Sequence, residues 1–192
     1  MVQEIKSIND IYLNLFKKDK ANAKNFIDPS IDDNLNLIVD NYDKNLRLIK
    51  LISEDSNNII EVNCFFNLSS ISLLAGKPKK IIKISNDFND NYYKLINYIN
   101  DVDLLLYEDF NASFNSLEID FLYINNLNDN NNFTLYNKIF NNINIKKYIM
   151  IEGLNEYFQE KLMFMIQNNN WKIYSINETK FDFLILKKNI IS

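Results

Sequence analysis

Glu61, Asn63, Asn67, Ser69, Ser70, Ser85, Asp87 and Glu108 supply the carboxylates, amides and hydroxyls from which a ligand site could be built. The first five sit in I-I-E-V-N-C-F-F-N-L-S-S, residues 59–70, and Ser85 and Asp87 end K-K-I-I-K-I-S-N-D, residues 79–87. Together these segments read as strand, sharp turn, helix, loop and strand. That is the opening unit of a nucleotide-binding α/β domain, where the first turn is normally glycine-rich so that backbone can approach a ligand. No glycine stands in this turn. Asn63 and Asn67 occupy the two places where glycine is expected, and asparagine is the non-glycine residue that best tolerates a positive φ. The turn is therefore expected to keep its shape while carrying side chains that glycine would not.

The remaining candidates each have a bland and a chemical reading. Glu61 either faces the charged end of a ligand or caps the neighbouring helix or turn. Ser85 can hydrogen-bond a ribose, less well than a carboxylate would. Asp87 either shares that task or caps a helix beginning near Asn89, and capping is preferred. Asn125, Asn128 and Glu152 would make a poor site for a hard cation and are read as a polar loop, so no metal is expected. Phe65 and Phe66, within the turn, could plug a pocket. The lysines at 77, 79 and 80, and at 17, 18 and 20, are read as solvated faces.

Composition removes several classes of chemistry. The 192-residue chain contains no histidine, which excludes a histidine base, nucleophile partner or metal ligand. Its single cysteine, Cys64, excludes an internal disulfide and is expected to be a buried thiol in a cytoplasmic protein. A net charge of −4 argues against nucleic acid as the main partner. No apolar run approaches the roughly 18 residues needed to cross a membrane. The chain has 35 Asn and 29 Ile against 2 Gly and 2 Pro, the imprint of an A/T-rich genome such as that of a large DNA virus, a reduced bacterium or a protist.

Stepping along the chain, residues 1–57 read as a helical extension. Ile5, Ile8, Ile11, Tyr12, Leu15 and Phe16 recur at helical spacing, Asp28-Pro29-Ser30 breaks the pattern, and one or two helices then run to Glu54. From residue 58 to 192 strands and helices alternate in one α/β unit. Strands are expected at 59–62, 80–85, 103–107, 120–124 and 147–151, with helices at 69–75, 89–100, 134–143 and 155–167. Gly76 is placed as a helix C-cap. The 155–167 helix is apolar nearly all round and is expected to be well buried. Trp171–Ile176 and Phe181–Lys187 close as an antiparallel pair, giving an open, mostly parallel sheet with a terminal hairpin.

From about Asp32 to Lys188 the chain resembles class I S-adenosylmethionine-dependent methyltransferases, and is most similar to the macrocin O-methyltransferase and cephalosporin-hydroxylase-like group. The resemblance rests on Glu61-Val62-Asn63, Asn67, Ser69-Ser70, Leu73-Leu74-Ala75-Gly76-Lys77-Pro78-Lys79-Lys80, Trp171-Lys172-Ile173 and Phe183 to Lys188. It implies a Rossmann-like, seven-stranded sheet and an S-adenosylmethionine site made by Glu61, Asn63, Asn67, Ser85, Asp87 and Glu108. The departures fall on functional positions. The family's two turn glycines are Asn63 and Asn67, and its ribose-binding acid aligns with Ser85. Its I-D-G-x-H segment is Ile124-Asn125-Asn126-Leu127-Asn128, and its H-D-T is Glu152-Gly153-Leu154. The Asn63 and Asn67 side chains would occupy space the cofactor's methionine end needs.

The expectation is therefore a pseudoenzyme descended from small-molecule or sugar O-methyltransferases, serving as a binding or regulatory subunit for a protein partner or a homo-oligomer. Residues 1–57 and the 155–167 helix are the candidate docking elements. Two alternatives stand beside it. One is a divergent active O-methyltransferase on a small-molecule acceptor, its base drawn from Glu152, Asp129, a lysine or a tyrosine. The other is an RNA-binding methyltransferase-like subunit, which the acidic charge disfavours.

Overall fold

A computed structural model describes residues 5–17, 21–27, 34–63, 67–85, 90–109, 114, 117–125, 133–168, 171–177 and 183–189. Three helices come first: α1 (Ile8–Leu15), α2 (Ala21–Lys24) and α3 (Leu35–Glu54). Then follow β1 (Asn58–Val62), α4 (Leu68–Ala75), β2 (Lys80–Ile84), α5 (Asp90–Ile96), β3 (Asp103–Tyr107), β4 (Glu118–Asn125), α6 (Phe133–Asn142), β5 (Asn144–Glu152), α7 (Glu156–Asn168), β6 (Trp171–Asn177) and β7 (Phe183–Lys188). The seven strands form one sheet in the order β3-β2-β1-β4-β5-β7-β6. The first five pair in parallel, while β7 runs antiparallel to both β5 and β6. The chain thus leaves β1 in one direction and returns to β4 on its other side, which puts a topological switch point between their carboxyl ends.

Strand periodicity of two distributes the core over both sheet faces. Ile59, Ile81, Phe121, Tyr123, Met150 and Ile185 point to one face, which α1–α5 cover. Ile60, Ile82, Leu122, Ile124, Ile149 and Leu184 point to the other, which α6 and α7 cover. The same parity puts Glu61, Lys83 and Glu152 on the first face, among apolar neighbours.

Local chemistry explains the helix ends. Ser7 opens α1 with a capping box: its side-chain oxygen accepts from the Asp10 amide, and the Asp10 carboxylate accepts from the Ser7 amide at 3.0 Å. Exposed i,i+4 pairs, Asp43 with Arg47 and Lys50 with Glu54, run along α3, each a weak contribution. The whole stretch is one helix, and α2 is an element that the periodicity did not announce. The break at 28–30 lies outside the described residues.

One helix differs from expectation, and one cap is borne out for a different reason. Helix α7 buries Phe158 and Leu162, but Met163 and Phe164 are 51% and 61% exposed, so the apolar run covers more of the helix than the core accepts. Gly76 caps α4, yet its φ is −73°, an ordinary right-handed value, and the left-handed residue is Lys77 at φ 57°. Space, not conformation, demands glycine at 76. A Cβ there would lie 2.5 Å from the Ser53 Cβ and Oγ and 2.9 Å from the Lys50 carbonyl oxygen. Gly76→Ala is accordingly expected to push α4 off α3 and cost about 1–3 kcal/mol, read as a lower urea midpoint. An unchanged midpoint would mean that the α3–α4 contact yields freely.

Candidate functional site

The crevice outside the carboxyl ends of the strands at a switch point is where open α/β sheets bind ligands. Here β1 runs into Asn63, whose φ is 60°, and α4 begins after Asn67, whose φ is 66°. Both asparagines hold the left-handed conformation that glycine would normally supply, as their side chains allow. The Asn63 amide nitrogen donates to the Ile84 carbonyl at 2.9 Å, extending the β1–β2 ladder by one bond. Its side chain turns the other way. Nδ2 donates to the Asn125 carbonyl oxygen at 3.0 Å and to the Tyr136 hydroxyl at 3.1 Å. One side chain therefore spans from the β1 turn to the end of β4 and to α6. Burial pushes the Tyr136 phenol up to about 12, so it stays a neutral partner. Asn67 points toward the amino-terminal segment, where its Nδ2 donates to the Phe26 carbonyl at 3.2 Å.

Glu61 lies one pleat back from the crevice. Its carboxylate is 1% exposed and accepts from Ser70 Oγ at 2.8 Å and Ser69 Oγ at 3.1 Å. Lys83, its register partner on β2, is 0% exposed and reaches Glu61 Oε2 at 3.0 Å and Ser70 Oγ at 2.8 Å. The ammonium also lies 4.9 Å from the centre of the Tyr92 ring. Nothing in the sequence alone marks Lys83 as a site residue. Its position, two residues before Ser85 on the same strand and in register with Glu61, carries a signal only when the pairing is known.

The other expected residues are spread along the same edge. The Ser85 amide donates to the Tyr107 carbonyl at 3.0 Å, and the residue is buried. Glu108 follows β3 and is exposed. Cys64, Phe65, Phe66, Asp87, Asn128 and Asp129 lie outside the described residues. Among the described residues no group of three acidic or sulfur-bearing side chains is placed to hold a metal ion.

A second polar cluster sits under the ends of β4 and β5. Glu152 is fully buried and, among the described residues, accepts four hydrogen bonds. The Tyr42 hydroxyl donates to Oε2, joined there by the Tyr123 hydroxyl at 2.7 Å and Asn125 Nδ2 at 2.9 Å. Asn45 Nδ2 donates to Oε1 at 2.9 Å. Burial pushes the carboxyl up to about 7, against the pull of those four donors toward the ionised form. Burial also raises both tyrosines well above their ordinary range. Tyr42 and Asn45 come from α3, in the segment read only as helical extension. Their i,i+3 spacing on a buried face was the one trace in the sequence.

No protein-family model matches the sequence, and a search of curated proteins finds no match. Solved structures do resemble the fold. A methyltransferase from Geobacter sulfurreducens superposes with a TM-score of 0.56 at 13% identity, over 94% of this chain and 96% of that one. The O-methyltransferase TomG from Streptomyces achromogenes, involved in tomaymycin synthesis and solved with S-adenosylmethionine, gives 0.53 at 13% identity over 98% of both chains. The 16S rRNA methylase RmtB gives 0.53 at 12% identity over 97% of this chain and 76% of that one. At these identities the likeness shows the fold alone: an α/β, Rossmann-like methyltransferase fold. Among the described residues no helix is long and apolar enough to cross a membrane.

Proposed function

We propose that this chain is a methyltransferase-like pseudoenzyme, a binding or regulatory subunit whose ancestral cofactor crevice is closed by its own side chains. The observation that carries this reading is the Asn63 strap. A glycine at that position leaves the mouth between β1 and β4 open, whereas Asn63 Nδ2 occupies the Asn125 carbonyl at 3.0 Å and the Tyr136 hydroxyl at 3.1 Å. Glu61 supports it. A carboxylate that already accepts from two serines and has its charge balanced by a buried ammonium offers little to the positive end of S-adenosylmethionine. The residues present thus fit that cofactor poorly. Partner docking falls to the exposed Met163 and Phe164 of α7 and to the amino-terminal helices.

A divergent active O-methyltransferase is the second reading, and Glu152 favours it. A carboxyl near 7 at the end of β5 has the proton affinity suited to taking a proton from an acceptor hydroxyl. Calorimetry with S-adenosylmethionine and S-adenosylhomocysteine separates the two. The wild type is expected to give no binding heat at millimolar cofactor, and Asn63→Gly, which removes the strap, is expected to gain measurable binding. A micromolar dissociation constant for the wild type would overturn the pseudoenzyme reading and send the search to hydroxyl acceptors.

A further inference from the structure

The Glu152 cluster has a further property, independent of that reading. Three oxygens face one another: Glu152 Oε2, Tyr42 Oη and Tyr123 Oη. Tyr123 lies 2.7 Å from the carboxylate oxygen, the two hydroxyls are 3.1 Å apart, and the Tyr42 hydroxyl is hydrogen-bonded to the same carboxylate oxygen. The triangle has three sides, each short enough for a hydrogen bond. Each tyrosine brings one proton. With Glu152 ionised, both protons point at the carboxylate, and the side between the two hydroxyls has none.

One more proton completes the figure. Placed on Oε2, it lets Glu152 donate to Tyr42, Tyr42 donate to Tyr123, and Tyr123 donate back to Oε2. Each oxygen then gives one hydrogen bond and receives at least one. Asn125 Nδ2, which reaches both Tyr123 Oη at 3.1 Å and Oε2 at 2.9 Å, remains a donor in either state. Among the described residues no cation pairs with Glu152, so the ionised form is a buried charge held by neutral donors only, a costly arrangement.

We infer that Tyr42, Tyr123 and Glu152 form a proton-binding clamp, which takes up one proton from water onto Glu152 and thereby tightens α3 against the carboxyl ends of β4 and β5. Among the described residues the groups facing Glu152 are Tyr42 and Asn45 from α3 and Tyr123 and Asn125 from β4. Its register partner on β7 is the apolar Phe183. Two of these titrate, both tyrosines, and both stay neutral because burial raises them. The clamp also touches the crevice, since Asn125, which bonds Glu152 through its side chain, is the residue whose carbonyl receives Asn63.

The clamp's proton exchanges in the near-neutral range, because burial pushes Glu152 from 4.5 to about 7. The sign follows from proton uptake on folding. Stability from this group is complete below about 4.5 and is lost as pH rises through about 7, where folded and unfolded chains are both ionised.

Two measurements on the full chain test this. In the first, the carboxyl carbon of Glu152 is followed by NMR in the wild type between about pH 4 and about pH 8, and a midpoint near neutrality is expected. A midpoint in the ordinary glutamate range overturns the clamp. In the second, urea unfolding of the wild type is compared with Glu152→Gln. The ratio of their unfolding constants is expected to rise on the order of a hundredfold between about pH 4.5 and about pH 8, and parallel profiles overturn the clamp. Should Glu152→Gln fail to fold, Tyr42→Phe serves. It removes a corner of the triangle, and with it two sides, so the Glu152 midpoint is expected to move, and an unmoved midpoint counts against the proposal.

Discussion

Lys83→Met is expected to destabilise the domain by about 3–5 kcal/mol in urea unfolding, the largest effect of any single polar substitution here. The reason is the carboxylate it leaves behind. Glu61 and Lys83 are 1% and 0% exposed, and their 3.0 Å contact is a charge pair beyond the reach of water. Methionine fills the lysine's volume, so the loss is one of charge balance and not of packing. Ser69 and Ser70 still donate to Glu61, but hydroxyls cannot neutralise a buried negative charge. Replacing both partners tells the same story from the other side. Glu61→Leu combined with Lys83→Met removes charge from both strands, and is expected to recover most of the lost stability or exceed the wild type. A single-variant cost under about 1 kcal/mol would show instead that solvent reaches the pair, as at exposed pairs.

Phe158→Ala is expected to cost about 3–5 kcal/mol, the usual range for deleting a buried phenylalanine ring. Phe158 is 0% exposed on α7, with its ring centre 4.8 Å from that of Tyr136 and 5.2 Å from that of Tyr157. The consequence reaches the crevice. Tyr136 is the residue whose hydroxyl receives Asn63, so a cavity beside its ring frees the far end of the strap. The same variant should therefore speed hydrogen exchange at the Asn63 side-chain amide while leaving exchange in β3, at the opposite edge of the sheet, little changed. Phe158→Leu, which keeps most of the volume, is expected to show a smaller fraction of both effects. Unaltered exchange at Asn63 in the alanine variant would mean that Tyr136 is held by something other than the α7 ring.

Much of this architecture was legible along the chain. Apolar stretches bounded by turns marked all seven strands, and helical spacing marked α1, α3, α4, α5, α6 and α7, because each of these patterns is written in neighbours a few residues apart. The left-handed turn was legible too, since asparagine at 63 and 67 is the residue type that such φ values select after glycine. At two other places the sequence showed a role but not its cause or extent. Gly76 looks like a conformational cap by sequence, yet its need is steric and comes from Ser53, on a different helix. The all-round apolar pattern of α7 predicts burial, but a helix at the end of a sheet has too little neighbouring surface to cover Met163 and Phe164.

Local patterns along the chain thus set the list of elements, the alternation of helix and strand, and the turn chemistry. Tertiary structure decided which polar side chains meet. Glu61 and Lys83 become an ion pair because β1 and β2 are adjacent and in register, and Asn125 and Glu152 meet because β4 and β5 are. Tyr42 reaches Glu152 across 110 residues of chain because α3 lies on the face to which strand parity turns Glu152. A carboxylate's partners depend on distance in space, and its proton affinity depends on how much water is excluded around it. Neither quantity exists until strand order, register and helix placement have all been set.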